Sequence, residues 1–397
     1  MNQITKSSFT LNFYFGIFLF LIQIFIRRLI FIPSSYLVPY LYFFKYKLSS
    51  ISVFYICYIV YSIFITSDFK SLIIYSLLFL FNTFVYNNIV NNSNLVWFKL
   101  KQFQILIRYS LLSATFLSLL FFLLNINILA NNIYLTNFNP FNALNLNAYI
   151  YIIYFYAFLS LSLKKVKDFI FALTLLLISD SRTGLIMFGF ALIQLIFNYK
   201  VVTRKLKIKK SLFIGLTVFT SIVFSLIIIT SLDQRFINNL QNSSKFLKTD
   251  FKSFNETTQL LKKAKLTEKS SSESSELHRL CITSQNIKHI GKTFPFGTGI
   301  GLGSYQNSLE KNNLLCAVAK NEPIRAHNFY ISYLAEMGIF FFPLLLFFLS
   351  HLRFTKSRFI IIGLLLSLLG QEYITMPYIW MILALSNKLD QKSFLND

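Results

Sequence analysis

About twelve apolar stretches, separated by short polar joints and by one long hydrophilic segment, constrain this chain most, because runs of that length read as helices that cross a bilayer. They cover residues 9–26, 29–44, 48–66, 70–87, 103–129, 146–163, 168–181, 183–198, 211–230, 329–349, 358–370 and 372–387, several of them short for a span. Composition agrees: the 397 residues are 55% hydrophobic, 18% aromatic and only 13% charged, with a mean hydropathy of +0.58. A soluble core cannot absorb that much apolar surface, so the expected class is an integral membrane protein.

A formal net charge of +23 would suit a nucleic-acid partner, but the basic residues occupy short clusters between the apolar runs. Lys45 and Lys47, then Lys99, Lys101 and Arg108, then Lys164, Lys165 and Lys167, then Lys200 to Lys210, then Arg353, Lys356 and Arg358 fall on alternate joints. This is the positive-inside pattern, and it excludes nucleic acid as the partner. With Lys200 to Lys210 in the cytoplasm, both termini are inside, and the Ser179–Thr183 turn and residues 231–327 are outside. Arg27 and Arg28 run against the pattern and leave the first two spans least determined. The same pair follows the first apolar run where a small-residue cleavage site would stand, so that run reads as a span rather than a cleavable signal.

The expected architecture is therefore all-α: a polytopic integral membrane protein of about twelve transmembrane helices with one long extracytoplasmic loop. Residues 1–167 hold the N-terminal spans, 168–230 the spans around a Ser-Arg turn, 231–327 the long loop, and 328–397 the C-terminal spans. The loop opens with a lysine-rich amphipathic half, Phe236 to Lys269, expected to form one or two helices on the membrane surface. A serine-rich linker follows and leads to HRLCITSQNIKHIGKTFPFGTGIGLGSY. Cys281 and Cys316 share the loop and allow one disulfide, while Cys57 lies in an apolar run. No internal repeat of fixed period is visible.

Polar residues that can carry chemistry gather on the outer side. Arg182 lies between two spans in ISDSRTG, where an arginine facing a protein cavity is far less costly than one facing lipid; snorkelling to headgroups is the structural alternative. Asp180 is either its orienting partner or a solvated turn residue. His327 stands where the long loop re-enters the membrane, with Pro323 and Arg325 before it and Asn328 after it. Its ordinary pKa near 6.5 suits it to moving a proton at neutral pH, although a loop histidine is commonly plain polar surface. Asn328 as a helix cap would set His327 beside the positive end of a helix dipole, an anion site. Ile331, Ala335 and Gly338 follow at helical spacing, the last two small enough to admit a neighbouring helix. Glu336 reads as an ion-pair partner, a structural group or a catalytic one.

Gly297 to Ser304, GTGIGLGS, lacks both the GKS/T ending of a phosphate-binding loop and the spacing of the dinucleotide fingerprint. It reads instead as tight backbone packed close to the membrane or to a lipid-linked substrate. His278, Cys281 and His289 have no fourth ligand at a zinc-site spacing. Arg279 is one more basic candidate for an anionic substrate.

Three of these elements, in this order, resemble the O-antigen ligase and O-antigen polymerase superfamily over about residues 168–350. They are a span ending in Ser181-Arg182; a loop arginine, Arg279, ahead of Pro295 to Gly301; and His327-Asn328 followed after nine residues by Gly338. The chain departs from the family's Gly-x-x-Gly at Gly338-Ile339-Phe340-Phe341. The resemblance implies a metal-independent, cofactor-free GT-C type glycosyltransferase of the inner membrane, acting at the periplasmic face on glycan linked to undecaprenyl pyrophosphate. The acceptor is a second glycan in a polymerase or a lipid A core in a ligase, and a chain-length regulator protein is a further partner that it allows, besides membrane lipids. Within it His327 is the base, Arg182, Arg279 and Arg325 hold the diphosphate, and Ser181, Asn328 and Gly338 support them. Another class, a polysaccharide flippase or ion-coupled transporter, would place ionisable residues near the middle of several spans, and these spans are nearly free of charge. A receptor or structural membrane protein is the remaining alternative.

Overall fold

The computed structural model describes residues 12–21, 34–91, 94–123, 142–178, 182–197, 285–312, 314, 328–369 and 375–391. Among these residues there is no strand, and the regular structure is helical. In chain order the helices are α1 (Asn12–Leu21), α2 (Leu37–Phe43), α3 (Ser50–Ile65), α4 (Phe69–Asn91), α5 (Asn94–Leu123), α6 (Asn142–Ser162), α7 (Val166–Ile178) and α8 (Arg182–Phe197). After them come α9 (residues 285–293), α10 (Leu302–Lys311), α11 (Phe329–Met337), α12 (Phe341–Ser350), α13 (Arg358–Ser367) and α14 (Pro377–Gln391).

Two described helices are long and apolar enough to cross a membrane, Phe69–Asn91 and Phe329–Arg353. The second joins α11 and α12 through a 3-10 turn at Gly338–Phe340. Shorter apolar helices occupy Asn12–Leu21, Ser50–Ile65, Tyr149–Ser162 and Thr183–Phe197. Of the expected run 29–44 the described residues begin at Ser34 and are helical from there to Phe43, and the run expected from 103 begins nine residues earlier, at Asn94. In the second case Lys99 and Lys101 did not end the apolar signal's helix: Lys99 extends its ammonium to the Tyr42 carbonyl, 3.1 Å away, so the charge is accommodated on the helix. The expected run 211–230, the lysine-rich half of the loop, Cys281 and Cys316 lie outside the described residues.

The chain forms two compact units. The first draws on residues 1–60, 74–205 and 343–397, and α6 is its centre. Tyr149 to Leu159 are buried on every side of that helix, as expected of a helix that is apolar all round. It packs on α5, α7, α8 and α14, while α13 lies along α8. Its tyrosine hydroxyls donate to carbonyls of other helices: Tyr149 to Phe20 (3.0 Å) and Tyr154 to Ile360 (2.9 Å). Gln194 on α8 clasps the start of α13, donating to the Lys356 carbonyl and accepting from the Phe359 amide. These bonds satisfy polar groups in an interior that offers no water. Asp168, also buried here, accepts from Gln104 at 2.8 Å and lies 3.4 Å from the Arg108 guanidinium.

The second unit comprises residues 61–73 and 206–342. Its described part is the α3–α4 turn, α9, the glycine-rich loop, α10 and α11. Ile290, Tyr305, Leu309, Leu314 and Ala335 form its apolar core.

Candidate functional site

The site is built from the start of α11 upward. Asn328 has extended backbone (φ −143°, ψ 114°) and its Oδ1 accepts the Ile331 N–H at 3.1 Å. This is an N-cap: one orphan amide of the first turn is satisfied, and the direction in which the chain enters α11 is fixed. The cap expected from the sequence is therefore present, immediately after His327. Phe329, Ser332, Tyr333, Ala335, Glu336 and Met337 turn inward along the helix.

After the nine residues of α11, Gly338 closes the helix as its C-cap, with φ 54° and ψ −129°. The expectation that Gly338 admits a neighbouring helix is corrected by what lies against it. A Cβ there would stand 2.1 Å from the Pro295 carbonyl oxygen and 2.8 Å from the Gly297 nitrogen. The reverse holds at Gly297, φ 75°, where a Cβ would come within 2.3 Å of the Glu336 carbonyl oxygen. Two backbones thus touch at paired glycines, and the partner of the helix end is the loop, not a second helix. Only residues without a side chain permit both the positive φ and the contact.

Around that contact Glu336 organises the loop. Its carbonyl accepts from the Thr298 and Gly299 amides, each at 3.1 Å, and its carboxylate Oε2 accepts from the Gly301 amide at 3.2 Å. The Ile339 amide returns a bond of 2.8 Å to the Pro295 carbonyl. The side chain of Glu336 is fully buried. Of the readings open for it, structural service to the loop is the one with geometry behind it: a carboxylate accepts strongly from backbone N–H groups that nothing else in the loop can satisfy. The glycine-rich run is tight backbone, as expected, and its inner side is packed on α11.

The loop is held on a second side by the α3–α4 turn, which nothing in the sequence connects to it. Ser304 bonds the Thr66 hydroxyl and accepts from the Ser67 and Asp68 amides at 3.2 Å each. Asp68 caps α4 through the Lys70 and Ser71 amides, and a 2.6 Å bond from the Ser71 hydroxyl holds its carboxyl below the ordinary carboxylate range. Asn307 reaches the Ser67 hydroxyl at 3.1 Å, and the Tyr61 hydroxyl donates to the Phe296 carbonyl at 3.0 Å. The available signal was a short polar turn, Thr66-Ser67-Asp68, between two apolar runs.

His289 on α9, considered in the sequence as a zinc ligand, is buried with its Nε2 2.8 Å from the Ser308 hydroxyl and its ring edge-on to Tyr305. Burial, with Lys292 adding to it, pushes its imidazole down to about 4. It is an interior polar link between α9 and α10.

Of the residues singled out in the sequence, Asn328 and Gly338 stand at the two ends of α11, and Pro295 to Gly301 is clamped against that helix. Arg182 is the first residue of α8, in the first unit. Its side chain, and Ser181, His278, Arg279, Arg325 and His327, lie outside the described residues. No match is found among curated proteins or among solved structures. Residues 169–349 match the family model described as O-antigen ligase, which supports the resemblance to the O-antigen ligase and polymerase superfamily over that segment.

Proposed function

We propose that this chain is a multi-pass glycosyltransferase of the inner membrane that polymerises O-antigen or related repeat units carried on undecaprenyl pyrophosphate, at the periplasmic face. The observation that carries the reading is the family match over residues 169–349, which contain every residue given a role here. The two apolar helices of spanning length, the shorter apolar helices and the alternating basic clusters support about twelve spans, with 231–327 as the extracytoplasmic loop.

In the proposed reaction His327 takes the proton of an acceptor sugar hydroxyl as that oxygen attacks the anomeric carbon of the donor. The bond from that carbon to the pyrophosphate oxygen breaks, the electron pair leaves with the diphosphate, and the anomeric centre inverts. Arg182, Arg279 and Arg325 balance the charge gathering on the leaving group, a task guanidinium groups perform without a divalent ion. The remaining chain is scaffolding for this: Asn328 caps the helix that follows His327 in the chain, and the paired glycines with Glu336 hold the far end of the same helix.

The acceptor distinguishes two readings. Polymerase is preferred because the basic long loop, with Arg279 and Arg325, suits two anionic lipid-linked chains held at once. Ligase, transfer of the glycan to a lipid A core, is favoured by the description of the matching family. A strain lacking this protein, examined by glycan gel, separates them: cores carrying a single repeat unit are expected for a polymerase. Bare cores with long glycan still on the undecaprenyl carrier would establish the ligase instead.

A further inference from the structure

We propose that Phe294–Gly301 is a re-entrant loop whose exposed rim, Phe294, Phe296, Ile339 and Phe64, is immersed in the hydrocarbon of the bilayer. The inference rests on the multi-pass reading above and moves into the membrane a segment that charge pattern alone leaves outside.

Depth is the first observation. Ile339, whose amide bonds the Pro295 carbonyl, is the eleventh residue of the spanning-length helix Phe329–Arg353. Ten steps at a helical rise are about 15 Å, half the thickness of a hydrocarbon core of about 30 Å. The loop is therefore tied to the middle of a span, not to its end.

The second observation is the contrast between backbone and side chains. Phe294 is 47% exposed, Phe296 65%, Ile339 55% and Phe64 82%. A loop in water with such a surface would be an apolar patch paired with free amides bonding to solvent. Here six of the loop's seven amides are bonded within the protein. Phe294 donates to the Ile290 carbonyl, Phe296 and Gly297 to Thr293, Thr298 and Gly299 to Glu336, and Gly301 to the Glu336 carboxylate; Pro295 has no N–H. The Pro295 and Phe296 carbonyls accept from Ile339 and Tyr61. Irregular backbone survives at membrane depth only where its polar groups are satisfied internally, as these six amides and two carbonyls are. The buried carboxylate of Glu336 has its reason in the same requirement.

The third is where polarity begins. Tyr61, one turn before Phe64, packs its ring at a tilt against Phe340 with centroids 4.9 Å apart, so the rim is continuous with apolar helix surface. Lys288 and Lys292, exposed on α9 one turn apart, lie just ahead of Phe294 in the chain, as cations do at a headgroup boundary. Asn307, exposed and bonded to Ser67, marks the watery side of the same structure.

The test uses the full chain with its three native cysteines replaced, carrying one new cysteine at Phe296, Phe294, Asn307 or Leu346, reconstituted in lipid nanodiscs. Leu346, 65% exposed on the spanning helix, reports whether that helix is in the bilayer at all. With a membrane-impermeant maleimide, N307C should react quickly, and F296C, F294C and L346C about tenfold or more slowly. All four should react alike after denaturation in SDS. Fast reaction of F296C and F294C with L346C still protected would overturn the re-entrant loop alone. Fast reaction of L346C as well would overturn the spanning helix and, with it, the membrane reading beneath the proposal.

Discussion

Glu336 and Gly301, 35 positions apart in the chain, are joined by a 3.2 Å hydrogen bond from the glycine amide to the carboxylate Oε2. Together with the two bonds to the Glu336 carbonyl, it fastens the glycine-rich loop to the helix that follows His327. An acceptor is what this position needs, and a charge is not. Glu336→Gln keeps an acceptor oxygen and should retain folded abundance and most transfer activity. Glu336→Leu strands the buried Gly301 amide, a loss of about 1–3 kcal/mol, and should lower thermal stability and activity together. If the glutamine variant folds normally yet transfers no sugar, Glu336 takes part in the chemistry and its structural assignment is wrong.

Gly338 and Gly297 are expected to be equally intolerant, because each would drive a Cβ into the backbone of the other's segment. Gly338→Ala meets the Pro295 oxygen and must also hold a positive φ, which together cost about 2 kcal/mol or more. The readout is the midpoint of thermal unfolding in detergent, with Gly291→Ala as the control, since a Cβ at Gly291 meets nothing within 4 Å. Equal midpoints for the two variants would contradict the close backbone contact.

Helices α3, α4, α6, α7 and α8 fall within a few residues of where the apolar runs put them, because an apolar run between polar joints is a strong local signal. The Asn328 cap was legible for the same reason: Asn before an apolar helix has one local role. Gly338 was misread because small residues at helical spacing announce a close approach without saying what approaches. Here it is a loop from 37 to 43 positions upstream. The tie from Ser304 to Thr66, more than two hundred residues away, leaves no periodic trace at all. Glu336 was visible as an odd charge in an apolar helix, but its partners are backbone amides, which every sequence has.

The pairing of α9 with α10 should weaken in mild acid. His289 is held down to about 4 from an ordinary 6.5, by burial first and Lys292 second. Between those values the unfolded chain binds a proton that the folded one does not. The stabilisation is thus complete above about pH 6.5 and declines as pH falls toward 4. Besides Lys292, the groups facing the ring are the Ser308 hydroxyl and the Tyr305 ring. Amide hydrogen exchange over residues 285–311, corrected for intrinsic rates, should show lower protection at pH 5 than at pH 7. His289→Gln should flatten the difference, and an unchanged pH dependence in that variant would assign the effect to another group.

The proposed chemistry makes the basic and the cationic groups fail in different ways. His327→Ala removes the proposed base and should abolish transfer while abundance and membrane insertion stay at wild-type levels, whereas His289→Gln at pH 7 should transfer normally. Arg182 is proposed to hold two phosphate oxygens through a planar fork, which a lysine ammonium does not reproduce. Arg182→Lys keeps the charge and loses the fork, so transfer should fall about tenfold or more, the value of one charge-assisted bond. Purified protein, a lipid-linked donor and a radiolabelled acceptor give the rates directly. A lysine variant at full rate would make Arg182 a snorkelling surface cation, and a surviving rate in His327→Ala would require another base. The same assay in EDTA measures whether the arginines suffice: wild-type rate is expected, and a collapse restored by magnesium would move the diphosphate's charge balance from guanidinium groups to a bound ion.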